Sequence, residues 1–281
     1  MTFSFYAPFF SNPLLFMALL SLIGASFSSG IIGSFVVVKR MVFVTGSIAH
    51  SILGGMGLFL FLSRTFNLPF LTPLYGALFS GIVTALIISW ATTKYKERLD
   101  TVIGSIWALG MSAGIIFVSI TPGYTTELLH FLFGDILWTT KQDILTLLSL
   151  GAIIILTTYI FYHKFMVIIF DEELAKLQGL NVRLLNTLLM ILIALTIVIL
   201  VKIVGAVLLI ALLSLPAAIA STYTNKLSTM MALTIGLNML IGVVGLYLSY
   251  VFNFPPGATI TLIAAIAYFS HLVMRKQKQK I

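Results

Sequence analysis

Residues 143–202 read DILTLLSLGAIIILTTYIFYHKFMVIIFDEELAKLQGLNVRLLNTLLMILIALTIVILVK. Two long apolar runs flank a polar island, Phe170 to Arg183, in which Asp171, Glu172 and Glu173 stand side by side. Those are three of the eight acidic residues in a chain where only 9% of residues are charged. Crossing ~30 Å of hydrocarbon as a helix takes about 20 apolar residues, and both flanks approach that length. The island therefore reads as a loop in water between two crossings. A membrane chain that concentrates its scarce acids in one internal loop presents that loop to a partner outside the bilayer.

The rest of the chain repeats this pattern. Sixty per cent of its 281 residues are hydrophobic, and a mean hydropathy of +1.13 lies outside the range of soluble domains. No segment shows the ~10-residue alternation of a membrane β-barrel. The expected fold is an all-α polytopic membrane protein with about nine spans, at 13–38, 42–63, 68–92, 101–121, 143–163, 185–202, 204–222, 228–251 and 256–274. The first run lacks a basic leader and a small-residue cleavage pattern, so it reads as a retained span. One membrane domain covers 1–281, with its main cytoplasmic loop at about 164–184.

The net charge of +8 brackets the apolar runs instead of forming a patch for nucleic acid. With the N-terminus outside, 13 of the 16 basic residues fall inside, leaving only Arg64, Lys141 and Lys202 outside. Excess Lys and Arg mark cytoplasmic loops, so the C-terminus and the island are expected inside. The chain has no cysteine, which excludes disulfides and thiolate metal ligands.

Two stretches resist a simple count. Glu127 to Trp138 is apolar but too short to span, and either lies in the interface or re-enters the membrane. Between 185 and 222 the only break is Lys202-Ile203-Val204-Gly205. That demands a very tight hairpin, or else a tilted or broken helix. Glycine spacings at Gly24/Gly30/Gly33, Gly104/Gly110/Gly114 and Gly236/Gly242/Gly245 suit close helix packing. No phosphate-binding G-x-x-x-x-G-K-[ST] motif occurs, so the chain does not bind ATP through a P-loop of its own.

None of the eight acids falls in the middle of an expected span, whereas ion-coupled carriers commonly need an intramembrane carboxylate. Energy from a separate subunit is the natural alternative. His50 lies eight residues into the second span, about 12 Å from its start. Its neutral imidazole could ligate a transition metal, with Ser47 on the same helix face, or could serve packing alone. Asp100 reads as the N-cap of span four. Asp135 lines an outer vestibule or caps a short helix. His163 and His271 sit near cytoplasmic span ends as interface residues. Pro216 removes a backbone hydrogen bond within a span, which predicts a kink.

Five segments, in order over residues 13–274, resemble the ABC-3 family, the permease subunits of bacterial zinc, manganese and iron ABC importers. They are Lys39-Arg40-Met41 with Gly46-Ser47-Ile48-Ala49-His50; Asp100-Thr101-Val102-Ile103-Gly104; Leu132-Phe133-Gly134-Asp135-Ile136-Leu137; Val204-Gly205-Ala206-Val207-Leu208-Leu209; and Leu215-Pro216-Ala217-Ala218. The resemblance implies a type II ABC importer permease fold, a homo- or heterodimer of permeases, two cytoplasmic ATPases and an extracytoplasmic metal-binding protein. No cofactor would be held permanently: the divalent metal is cargo, and ATP sits on the partner. The island, with Asp171, Glu172, Glu173, Ala175 and Gly179, would form the coupling helix seated in the ATPase. One departure stands out. Many family members carry Asp four residues before the histidine, and this chain has Gly46. That loss of a hard oxygen ligand tilts the expectation from manganese toward zinc.

The expected function is therefore the permease subunit of an ATP-driven metal importer in a bacterial inner membrane, not itself an enzyme. The competing classes are a self-sufficient carrier or channel for a small cation, and an intramembrane enzyme using His50 as a base.

Overall fold

The computed structural model describes residues 9, 12–94, 99–123, 134 and 136–278. Helix α1 spans Pro13–Val38, α2 Val42–Thr65, α3 Pro73–Lys94 and α4 Leu99–Ile120. A 3-10 turn, Ile136–Trp138, leads to α5, Lys141–Phe170. There follow α6 Glu172–Leu177, α7 Val182–Ala220, α8 Leu227–Phe252 and α9 Pro256–Lys278. All but α6 and the 3-10 turn contain a stretch long and apolar enough to cross a membrane, eight such helices among the described residues.

Local chemistry sets the helix ends. Asn12 accepts a hydrogen bond from the Leu14 amide, and Pro13 opens α1 where a missing N–H costs nothing. Thr140 and Asp143 form a reciprocal capping box at the start of α5. Inside α1, the hydroxyls of Ser21, Ser26, Ser29 and Ser34 each donate to the carbonyl four residues back. Those bonds satisfy four of the five buried serine hydroxyls of α1, and Ser28 Oγ is left without a partner among the described residues.

Helix α7 is the hub, packed against α1, α2, α3, α5, α8 and α9. Its 39 residues would make a rod of about 58 Å, twice what the hydrocarbon needs. It is not a rod. Gly205 has φ 78° and ψ 164°, the one non-helical backbone position within it. The Lys39 ammonium reaches the Asn186 side chain early in α7, and Gly33 lies against the Leu213 carbonyl. Lys39 is only six residues beyond Gly33, about 9 Å along α1. A straight helix would put Asn186 and Leu213 about 40 Å apart, so the chain must double back at Gly205. The tight hairpin at 202–205 is thus the form the structure takes. Glycine is required there because its φ lies where side chains are strained.

Several expected boundaries shift. Helix α5 continues through Lys164 to Phe170, into the stretch expected as loop at about 164–184, with Phe165 and Ile168 fully buried. Helix α3 starts at Pro73, not 68, with Leu68–Thr72 forming a turn. Asp100 does not precede α4 as its cap; it lies within the first turn, where a carboxylate still complements the helix dipole. Pro216 sits in helical backbone within the second arm of α7. Asp135 and 124–133, with Glu127 and His130, lie outside the described residues.

The chain has no native cysteine, so single cysteines report location cleanly. Cysteines replacing Asn181 and Tyr223 are expected to react with a membrane-impermeant maleimide from one side, and one replacing Lys202 from the other. Labelling of 181 and 223 from opposite sides would rule out the reversal. Gly205→Ala should cost about 1–2 kcal/mol of stability, read as a lower melting temperature in detergent.

Candidate functional site

The first candidate is intramembrane. His50 on α2 is half-buried, and its imidazole stacks on the indole of Trp107 from α4, ring centroids 4.5 Å apart and planes 14° from parallel. The same indole covers Gly46. A Cβ there would stand 2.8 Å from Trp107 Cζ3, closer than side-chain atoms approach. The backbone of α2 thus meets the indole directly, and the space one turn before His50 is filled by an aromatic ring.

Ser47 is placed differently from the sequence expectation. It is fully buried, and its hydroxyl donates to the Ile103 carbonyl on α4 at 2.9 Å. Ser51, one turn on, accepts from Thr84 of α3 at 2.8 Å. These hydroxyls bind α2 to its neighbours and do not converge on His50. Among the described residues no group of three or more His, Asp or Glu side chains could hold a metal ion. Among the described residues, then, His50 belongs to no such group, and its ring lies on the aromatic face of Trp107. Any tighter coordination would draw on groups outside this set.

The second candidate is the island. Asp171 caps α6, its Oδ1 accepting from the Glu173 and Leu174 amides at 3.0 and 2.9 Å. At the other end Gly179 has φ 73°, the Leu180 amide donates to the Ala175 carbonyl and the Gly179 amide to that of Lys176. That pair of bonds closes a Schellman motif. A six-residue helix is too short to persist on propensity alone, and caps at both ends fix its shape. Ala175 is fully buried and seats it on the bundle, while Leu177 is 86% exposed and Glu173 faces solvent.

Other sequence candidates serve structure. His271 is buried, not interfacial, with its ring nitrogens bonded to Thr222 Oγ1 at 2.9 Å and Tyr223 Oη at 3.2 Å. It ties the end of α7 to α9. His163 lies edge-on to Tyr162. Asp143, besides its capping role, pairs with Lys202 at 2.5 Å and braces the start of α5 against α7 near the reversal. Sequence reasoning missed Trp107, Lys39 and Asn186 as site residues. The first had one signal, a bare Gly46 one turn before a membrane histidine, which invites a large neighbour.

Comparison with known proteins follows this geometry. The model of the ABC 3 transport family matches residues 11–275. A Chlamydia trachomatis protein called "Probable metal transport system membrane protein" is 41% identical over 264 residues, covering 94% of this chain and 90% of its own. The Listeria innocua "Manganese transport system membrane protein MntC" is 34% identical over 252 residues, with coverage of 90% and 87%. A chain in the solved structure of PsaBC from Streptococcus pneumoniae in complex with Fab superimposes with a TM-score of 0.83 at 31% identity, covering 96% of this chain and 95% of that one.

The packing over Gly46 yields a sharp expectation. Gly46→Ala should destabilise by about 1–3 kcal/mol, as overpacking does, because the stacked indole cannot move away freely. Combining it with Trp107→Leu should remove most of that penalty in a thermal-melt double-mutant cycle. Strictly additive effects would mean that the two side chains do not compete for one space.

Proposed function

The chain belongs to the ABC 3 transport family and is a membrane permease of a metal ABC transport system; on that premise we propose that it carries a divalent transition metal ion from an extracytoplasmic binding protein to the cytoplasm, driven by ATP. Two permease protomers would form the pathway in a bacterial inner membrane, with the N-terminus outside and the C-terminus inside. Two ATPases would seat on their cytoplasmic faces. The chain carries out no covalent chemistry itself.

The observation that carries this reading is α6. It is a short helix capped at both ends between α5 and α7, anchored through Ala175 and offering an exposed apolar tip at Leu177 beside Glu173. Such a body can receive a push from a partner and pass it on without unwinding. Closure of the ATPases around ATP would move both copies of α6 and swing the spans between outward and inward opening. His50 would line the path and Asp135 its outer mouth. Pro216 would add local compliance to the returning arm of α7.

The metal is manganese or zinc, with iron the third candidate. The names of the Listeria and Chlamydia relatives support metal transport, and the former manganese. The absent carboxylate at Gly46 favours zinc, which imidazole suits well. The deciding experiment co-expresses the chain with its ATPase and binding protein in a bacterium lacking its own uptake systems, and follows radioactive zinc and manganese. His50→Ala should reduce uptake by at least about tenfold, the scale on which even partners of a metal ligand matter. Glu173→Arg should abolish uptake and release the ATPase on purification. Uptake by the chain without any ATPase would replace this reading with a self-sufficient carrier or channel.

A further inference from the structure

Three residues far apart in sequence meet beside α6. The Lys39 ammonium donates to Asn186 Oδ1 at 2.5 Å, Asn186 Nδ2 donates to Glu172 Oε1 at 3.2 Å, and Lys39 Nζ lies 3.9 Å from that same oxygen. Lys39 closes α1, Asn186 lies in the second turn of α7, and Glu172 is the first residue of α6. The Lys39 side chain is only 14% exposed and that of Glu172 51%.

This is a poor device for stability. Taking a lysine ammonium out of water costs more than one half-exposed carboxylate returns, and burial pushes the Lys39 pKa below the usual lysine value while Glu172 pushes it back up. Apolar side chains would hold these helices together at least as well. What the triad does supply is direction. It fixes α6 to two helices through planar amide and carboxylate groups whose hydrogen bonds have a preferred geometry.

The position of Lys39 gives that direction a target. Only Arg40 and Met41 separate it from α2, and both are held: the Arg40 amide donates to the Val37 carbonyl and the Met41 amide to that of Val36. Arg40 has φ 58°, a turn with no slack. Helix α2 begins at Val42, and His50 lies eight residues along it, about 12 Å on. A displacement of Glu172 therefore reaches the start of α2 through two hydrogen bonds and a braced turn. A partner docking on α6 would also cover the half-exposed Glu172 and strengthen its attraction to Lys39, since charges interact more strongly away from water.

We propose that Lys39, Asn186 and Glu172 are positioning residues that carry the movement of α6 to α1 and α2, so that the triad couples ATP hydrolysis to transport. This rests on the reading of α6 as the seat of the ATPase. The test uses the assembled complex of chain, ATPase and binding protein in liposomes, with manganese or zinc supplied as the cargo. It measures three quantities: ATPase retained on purification, ATP hydrolysed, and metal taken up.

Lys39→Met and Asn186→Leu, neither of them on α6, should keep the ATPase and its hydrolysis near wild type, and in both, as in Glu172→Gln, metal moved per ATP should fall about tenfold, within the range of coupling between sites. The reversed pair, Lys39→Glu with Glu172→Lys, should recover most of that loss, because the Asn186 amide can turn to serve either arrangement. Glu172→Gln leaves the half-exposed site uncharged and well solvated, so folding is preserved even where Lys39→Met is unstable. Wild-type metal per ATP in Glu172→Gln, or a reversed pair no better than its singles, would overturn the proposal. A wild-type chain that retains no ATPase would instead overturn the reading of α6, and the linkage with it.

Discussion

A bilayer supplies no water to an open hydrogen-bonding group, and this constraint accounts for where most of the buried hydroxyls of the described residues turn. Four of the five serines of α1 bond back to their own helix, and two of them also reach α8: Ser34 meets Thr234 at 3.3 Å, and Ser29 accepts from Asn238 at 2.9 Å. Charges are handled across helices. Asp143 pairs with Lys202 at one end of the bundle, and Lys39 meets Asn186 and Glu172 at the other. Both ion pairs touch α7 or its immediate partners, so the polar contacts reinforce the apolar hub instead of competing with it.

The reversal at Gly205 follows from the same constraint. A 39-residue apolar segment cannot stay straight without leaving the hydrocarbon at one end, and exposed apolar surface in water is costly. One glycine with positive φ resolves the conflict at the cost of a single non-helical residue. Gly134, itself at φ 71°, lies against Val204 and Gly205 and leaves no room for a Cβ. The turn at Gly205 is therefore packed by backbone against backbone. The two arms of α7 then fill the centre of the bundle, and the outer helices α4, α5 and α9 keep large apolar side chains such as Leu109, Tyr159 and Phe269 at the surface, where lipid or a second protein can cover them.

Most of the helices were legible because length and hydropathy decide them. So was the shape of α6, since Asp171 and Gly179 bracket it with chemistry that reads directly from sequence. The far end of α5 was not. Lys164 looks like the edge of the membrane, but a lysine can extend its amine toward water while the apolar run continues to Phe170. Asp100 misled for a smaller reason: an acid suits the first turn as well as the cap. The triad was invisible because its members are separated by up to 147 residues and no local pattern marks them. Ser47 shows the opposite error. Its spacing from His50 suggested a shared face, whereas its hydroxyl turns toward the Ile103 carbonyl, a choice that only the approach of α4 decides.

The packing of α2 determines what kind of motion can reach His50. Helix α2 touches α3 and α4 at backbone distance: Gly55 lies against the Gly76 carbonyl, and Gly110 against Ser51. Buried hydroxyl bonds from Ser47 to α4 and from Thr84 to Ser51 cross the same interfaces. Close-packed small residues hold α2 against each neighbour, while an apolar groove lined by Gly54, Ser80, Val83, Leu109 and Ala113 opens between α3 and α4. In the proposed cycle α2 and the two helices bound to it would move as one block, joined to α1 by the braced turn at Arg40. A push delivered at Lys39 would then tilt the block as a unit. Trp107 belongs to that block and moves with His50, so the stacked pair stays intact while its surroundings change. Opening of a path past His50 then depends on what faces the block from outside it, which in the proposed dimer is the second protomer.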